Sequence, residues 1–499
     1  MIILDNPNQQ TSKLAVAASP ALRLPEPVAG RSASLPDYET SQAQHSVIFR
    51  KPTFPQRFDS RFWRATFFAL AIYVFLSVVI GIPVIVTRIA YRRGHPPPVH
   101  SLFFDEPSAA PLGLPNTGGM LMAESSTICD EWGSLEDDSA AGGYYTAAAY
   151  HNLSPSGLFS VRSNASDEIV AAHPAVGNLT VDINPDSSMT MAAFFITLTT
   201  SSVQLREQTH VCFAPSGDDR GLSIYIPQSL AENDMLSFDI RLLFPQTSHL
   251  LTVSNLITYL PMFQQSFGSL SSRIHFENIN IAGASVEVVC DSLQANKIAI
   301  KNMFGPISGT FNVTQSLKLD NIGGSISTNV TLNNDPSSQN LPTFLSLDTG
   351  NSDIVADVTM VGPSSVRANS RPAKFIANVK TFNGPLSLNV GHDAATAPAL
   401  LDLRVENNQA QSTVALDAKY AGVFDLHTKL APAKVDYGQG IADPTGDAQQ
   451  WHLDVDSNST SSTRGWVGWG TRPQYWNPAT DGKVLVVSSL SPILLQLGS

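Results

Sequence analysis

Charge is scarce in this sequence. Asp, Glu, Lys and Arg make up only 14% of its 499 residues, against about 25% in an ordinary soluble domain. What charge there is leans acidic. From Gly94 onward nineteen basic residues face thirty-seven acidic ones, whereas residues 1–64 hold eight basic and five acidic. An acidic region of that size lacks the basic footprint that nucleic acid requires, so no nucleic-acid partner is expected. Phosphate-cradling loops, dinucleotide fingerprints and nucleophile elbows are also missing. His392, His427 and His452 form no close pair with ligand spacing. Cofactor and metal chemistry are therefore not expected. Cysteine is rare, with Cys129, Cys212 and Cys290 only, which allows a single internal disulfide.

One long apolar run is present. Residues 65–87, "ATFFALAIYVFLSVVIGIPVIVT", hold no charge and are bracketed by Arg64 and Arg88. About twenty apolar residues cross a bilayer as a helix, and the internal Gly81 and Pro83 are tolerated there. The run starts too late and is too long for a cleaved signal peptide. Five basic residues precede it closely and three follow it, a weak vote for a cytosolic N-terminus. The N-x-S/T acceptors Asn152, Asn164, Asn178, Asn312, Asn329 and Asn458 all follow the run and none precedes it. The expectation is a type II protein: a disordered cytosolic tail over 1–60, a transmembrane helix over 65–87, and an extracellular or lumenal domain. Residues 94–150, rich in Pro, Gly and acid, read as a linker.

Beyond residue 157 short apolar alternations dominate, such as "LSIYIP" and "RIHFENINI", and no helical period competes with them. The stretch 297–334 says one thing twice. Ile298 and Leu317, Ile300 and Leu319, Asn302 and Asn321, Gly305 and Gly324, Ile307 and Ile326, Phe311 and Val330, Val313 and Leu332 each stand nineteen residues apart. The pattern continues through Leu347, Thr349, Ile354, Val358 and Met360 after a nine-residue insertion. It returns at Val379, Thr381, Gly384, Leu386 and Val390, with a faded copy at 414–426. No single unit can bury its own apolar face, so units of this kind stack. The predicted fold is all-β, a parallel β-solenoid-like ectodomain over 157–445. In it Asn302 would stack on Asn321 as an amide ladder, and Gly305 and Gly324 would supply positive φ at the corners. Alternation turns Asn178, Asn312 and Asn329 outward. It turns Cys290 inward beside Val286 and Val288, as a buried free thiol; by elimination Cys129 and Cys212 form the pair.

Catalytic patterns are thin. Asp348 and Asp353 in "DTGNSD" read as a rung-corner turn. Asp454, Asp456 and Asn458 open like a calcium loop, but the Gly at the sixth position and the Glu at the twelfth are missing. Residues 446–499 carry Trp451, Trp466, Trp469, Tyr475 and Trp476. They read first as a cap closing the end of the stack. The alternative is that Trp466, Trp469, Tyr475 and Trp476 contact a glycan. "VLVVSSLSPILLQLGS" reads as a terminal strand rather than a lipid-anchor tail.

"VCFAPSGDDRGLSIYIP" (211–227), "ITYLPMFQQSFGSL" (257–270) and "NKIAIKNMFGPISGTFNVTQSLKLDN" (296–321) resemble fungal single-pass membrane proteins, chiefly from basidiomycetes. Their ectodomain is similar to a "putative adhesin" β-repeat domain. The resemblance spans roughly 125–430 and implies a β-repeat ectodomain at a surface, with no catalytic residues. "TICDEW" is similar to a Cys–Trp element at the start of such ectodomains, which favours Cys129 as a disulfide partner. The functional expectation is non-catalytic adhesion, wall association or scaffolding, with a cell-wall glycan or a protein as ligand. The alternatives are a glycan-active enzyme, which needs converging carboxylates, and a sensor signalling through its tail.

Overall fold

A computed structural model describes residues 127–498. Segments 139–142, 165–175, 217–219, 228–229, 231–233, 337–340, 365–371, 439–448 and 478–480 fall outside the described residues. So do the tail at 1–60, the apolar run at 65–87 and most of the expected linker. Among the described residues no helix is long and apolar enough to cross a membrane. All of them belong to one compact unit, Gly113–Ser499.

The described chain is nearly all strand, with one short helix, α1 (Val203–Glu207). Strand pairing sorts into two rows. Row A runs β1 (Ile128–Cys129), β7 (His210–Ala214), β8 (Gly221–Tyr225), β4 (Leu158–Ser163), β10 (Leu251–Tyr259) and β12 (Ile274–Ala282). It continues through the second halves of β13 (Val288–Asn302) and β14 (Ile307–Asn321) to β16 (Thr343–Thr349), β18 (Lys374–Thr381) and β20 (Leu400–Asn407). It closes on β26 (Gly482–Ser488), β22 (Gly422–His427), β25 (Ser462–Trp469) and β24 (Trp451–Ser459). Row B runs β2 (Ser134–Asp138), β3 (Tyr144–Leu153), β6 (Ala192–Thr200), β9 (Leu236–Phe244), β5 (Gly177–Ile183) and β11 (Phe263–Ser269). It passes through the first halves of β13 and β14 to β15 (Ile326–Asn333), β17 (Ile354–Val361), β19 (Leu386–His392), β21 (Ser412–Leu416), β27 (Ile493–Leu497) and β23 (Ala433–Tyr437). Pairing from β8 to β22 and from β9 to β23 is parallel throughout; only the outermost strands pair antiparallel.

The nineteen-residue register is a structural one. Ile298 pairs with Leu317, Ile300 with Leu319, Asn302 with Asn321, Ile307 with Ile326, Phe311 with Val330 and Val313 with Leu332. Past the insertion Leu319 pairs with Leu347 and Leu332 with Met360. Alternation decides which side is buried: β17 and β19 bury every second residue, and these side chains join one continuous apolar core.

Two details of the corners differ from expectation. Asn302 and Asn321 are stacked but form no amide-to-amide bond. Asn321 Nδ2 donates to the Gly305 carbonyl at 2.8 Å, and its Oδ1 accepts from the Gly324 N–H at 2.8 Å. A buried amide needs strong partners on both ends, and the turn backbone offers them. Gly305 and Gly324 do not have positive φ. They are glycine because a Cβ would lie 2.1 Å from the Val286 carbonyl oxygen and 2.3 Å from that of Gly305. The position three after each ladder residue must therefore be small. The column continues through Thr349, Thr381, Asn407 and Ser488, all buried.

The domain limits move as well. Three strands, β1 to β3, already belong to the array within the expected linker, and a disulfide joins Cys129 to Cys212 across the β1–β7 pair. Within 446–499 only the β24–β25 hairpin lies at an end. β26 and β27 are inserted between earlier strands.

Candidate functional site

The aromatic end is built from the β24–β25 hairpin, which pairs antiparallel with β22. It divides the four aromatics. Trp466 is buried, and Gly468 lies so close that a Cβ there would meet its ring at 2.6 Å. Trp469 donates its indole N–H to the Ala418 carbonyl at 2.7 Å and lies opposite Trp451. Tyr437 approaches Trp451 with ring centroids 6.0 Å apart. These rings are fixed by packing. Tyr475 and Trp476 are exposed, on the segment after β25. Arg472 anchors that segment with a bidentate clasp on Asp456, at 2.5 and 2.7 Å. The hydrogen bond from Arg472 holds the Asp456 carboxyl below its usual range. The calcium-loop-like run thus lies in strand β24, with one carboxylate already held by a guanidinium. Flat rings beside a polar segment suit a sugar face.

Among the described residues, carboxylates do not converge elsewhere in a hydrolytic arrangement. A cavity of about 630 Å³ on row B, between β5, β11 and the approach to β9, has Asn178, Asp234 and Gln264 among its lining, with Asp234 the only carboxylate among the described residues that line it. A shallower groove of about 330 Å³ carries Asp291 and Asp357. They sit on β13 and β17, three strand spacings or about 14 Å apart, beyond the roughly 5–9.5 Å between paired glycosidase carboxyls. Asp348 is not in a turn. It faces outward from β16, while Asp353 precedes β17 in row B.

His392 is buried against Asp417, with Nδ1 3.0 Å from the carboxylate, and its Nε2 accepts the Ala399 N–H at 3.2 Å. Both ring nitrogens are engaged, and Lys419 donates to three carbonyls of the same loop. The group pins a connection and offers no free base. Sequence reasoning noted His392 but missed Asp417 and Lys419, because neither is near it in the chain. No group of His, Cys, Asp and Glu able to hold a metal occurs among the described residues. Burial pushes the Cys290 thiol far above its usual range, with Asp291 adding to the shift, so it is inert.

The acceptor asparagines fall into two groups. Asn152, Asn178, Asn329 and Asn458 are exposed, and Asn312 is half-buried on the outer side of β14. Asn164 is half-buried and clasps Ile226, donating to its carbonyl at 3.0 Å and accepting its N–H at 2.7 Å.

No family model matches the chain, and no curated protein matches it. Two crystal structures are similar to it. One is described as a putative cell adhesion protein from Clostridium sporogenes, 8% identical, with 70% of this chain and 99% of that one covered at a TM-score of 0.14. The other is described as a putative adhesin from Bacteroides fragilis, 11% identical, covering 70% and 96% at a TM-score of 0.27.

Proposed function

We infer that the chain is a single-pass type II membrane protein displaying a non-catalytic β-solenoid. Its role is adhesion, wall association or scaffolding at the extracellular or lumenal side. The observation that carries the reading is the array itself: two long parallel rows whose polar groups hold turns rather than converge on a reaction centre. The apolar run at 65–87 and the placement of every acceptor asparagine after it support the membrane orientation. Tyr475 and Trp476 are the contact aromatics in this reading, while Trp466 and Trp469 are structural. A glycan and wall-polymer array probed with residues 113–499 tests it. Binding is expected, and Tyr475→Ala combined with Trp476→Ala should abolish it. Absence of binding across the array, or binding untouched by the double substitution, overturns glycan adhesion as the role.

A further inference from the structure

Two lines of residues run side by side along the regular edge of the array. The first is apolar. The turns that follow the ladder residues expose Phe304 (61%), Ile322 (53%), Phe382 (48%), Leu490 (51%) and Leu430 (79%). Backbone bonds tie neighbouring tips together. The Gly323 N–H donates to Met303 at 2.7 Å, Phe382 to Gly350 at 3.2 Å, Gln409 to Phe382 at 3.0 Å and Leu490 to Asn408 at 2.9 Å. In the turns 303–306, 322–325, 350–353, 382–385, 408–411, 489–492 and 429–432, only Asp353 and Lys429 are charged. Exposed turns are ordinarily polar; here five of the seven expose a large apolar side chain, 350–353 and 408–411 being the exceptions, and exposed apolar residues grouped in this way mark a contact surface.

The second line is charged and sits one residue before the ladder, on the outer side of row A. Lys301, Asp320, Asp348, Lys380 and Glu406 are successive Cα partners. Ala282 adjoins Lys301 at one end and Val487 adjoins Glu406 at the other.

This order complements its own reverse. Consider a second copy turned end for end by a twofold axis that passes through the corner at Asp348 and Gly350, perpendicular to the stacking direction. Lys301 then meets Glu406, Asp320 meets Lys380, and Ala282 meets Val487. In the line of turns Ile322 meets Phe382, Phe304 meets the polar turn 408–411, and Gly350, which has no side chain, lies nearest the axis. The next outward column, Ala299, Lys318, Ser346, Asn378 and Arg404, reverses without opposing like charges: Lys318 faces Asn378 and Arg404 faces Ala299. Asp348 is the one charged residue of the two columns that faces itself.

We propose that this edge is a self-association surface on which two copies pack antiparallel as an isologous dimer. The apolar line alone is about 29 Å long and one side chain wide. That is too little for a stable interface, which takes about 800 Å² from each partner. The row A columns widen it, and their charge order sets the pairing. Row A carries no N-x-S/T acceptor from β12 to β20, whereas Asn312 and Asn329 point outward from row B.

Cysteine cross-linking in the full chain locates the axis. The background is silent, because Cys129 and Cys212 are joined and Cys290 is buried. Asn351→Cys, beside the axis, should give a disulfide-linked dimer on mild oxidation. Asn389→Cys, on the outer side of row B, should give none. Added to Asn351→Cys, either Lys301→Glu or Glu406→Lys should lower the cross-linked fraction at least about tenfold, and the two together should restore it. Within one chain the double change places like charges side by side, so an intramolecular role predicts the double to be worse than either single. No cross-link at 351, equal cross-linking at 389, a linked partner of different mass, or a double variant no better than the singles overturns the proposal.

Discussion

The two edges of the array are built on different rules. On the regular edge, four residues follow each ladder position from Asn302 to Ser488 before the next strand begins. On the opposite edge the connections span 334–342, 362–373, 393–399 and 417–421, and β13 and β14 cross it without leaving strand. The regular edge is fixed by a buried polar column whose every member bonds turn backbone. Thr349 Oγ1 donates to Gly324 at 2.9 Å, Thr381 Oγ1 to Ser352 at 2.9 Å, and Asn407 Nδ2 to Gly384 at 3.0 Å. A turn of another length would strand these groups. Among the described residues the irregular edge has no such column along its length, and local clasps such as His392 with Asp417 hold its connections, which vary in length.

Insertion should separate the edges most sharply. Six Gly/Ser residues placed directly after the exposed Ser364 add loop entropy, under about 1 kcal/mol. The same six between Phe382 and Asn383 interrupt the tip bonds and the Thr381 contact, at a cost on the order of 3–5 kcal/mol. Denaturant midpoints measure both, and equal losses would dissolve the distinction. A gentler version removes one ladder side chain. Asn321→Ala leaves the Gly324 N–H without its acceptor, while the Gly305 carbonyl keeps its bond from Asn302 Nδ2, and should cost about 2 kcal/mol. Asn333→Ala on the irregular edge, where the amide donates to the Asn312 side chain, should cost under about 1 kcal/mol.

The smallest effect concerns Asp348. Its carboxyl is held above the usual carboxylate range, first by burial and then by Asp320 and Glu406, with Lys380 and Lys318 opposing. A raised folded value means that the ionised form penalises the fold at neutral pH. The penalty is relieved as pH falls through that value, because the folded state takes up the proton before the unfolded one. Asp348→Asn should therefore raise Tm at pH 7 by well under about 1 kcal/mol equivalent. The gain should shrink as pH drops through the carboxylate range. A lower Tm at pH 7 would show that Lys380 dominates instead.

The repeat was legible because it is a local signal. Apolar residues at fixed offsets, with Asn302 and Asn321 in register, name their own partners. The rung at 400–416 escaped notice, because its corner reads Asn407-Asn408-Gln409-Ala410 and Ala410 replaces the marker glycine. Smallness, not glycine, is what the corner demands, so a search for glycine loses the copy. The faded copy at 414–426 straddles two rungs: Val414 and Leu416 belong to row B, Phe424 and Leu426 to row A. The split of the aromatic cluster into packed and exposed rings could not be read, since both kinds lie in one Trp-rich stretch. Nothing local distinguishes Trp469, bonded to a carbonyl fifty-one residues away, from Trp476.

Strand order at the two ends has a consequence for how the molecule is made. β4 and β5 lie between β8/β9 and β10/β11, and β26 and β27 lie between β20/β21 and β22/β23. Residues 422–437 leave the ribosome before 482–497, yet among the described residues their strands pair with the earlier rows only through β26 and β27. The middle strands pair in the order in which they are made, but the pairing at this end is completed by a segment made later. Losing 482–497 would detach two rungs rather than one, so this end resists unravelling strand by strand.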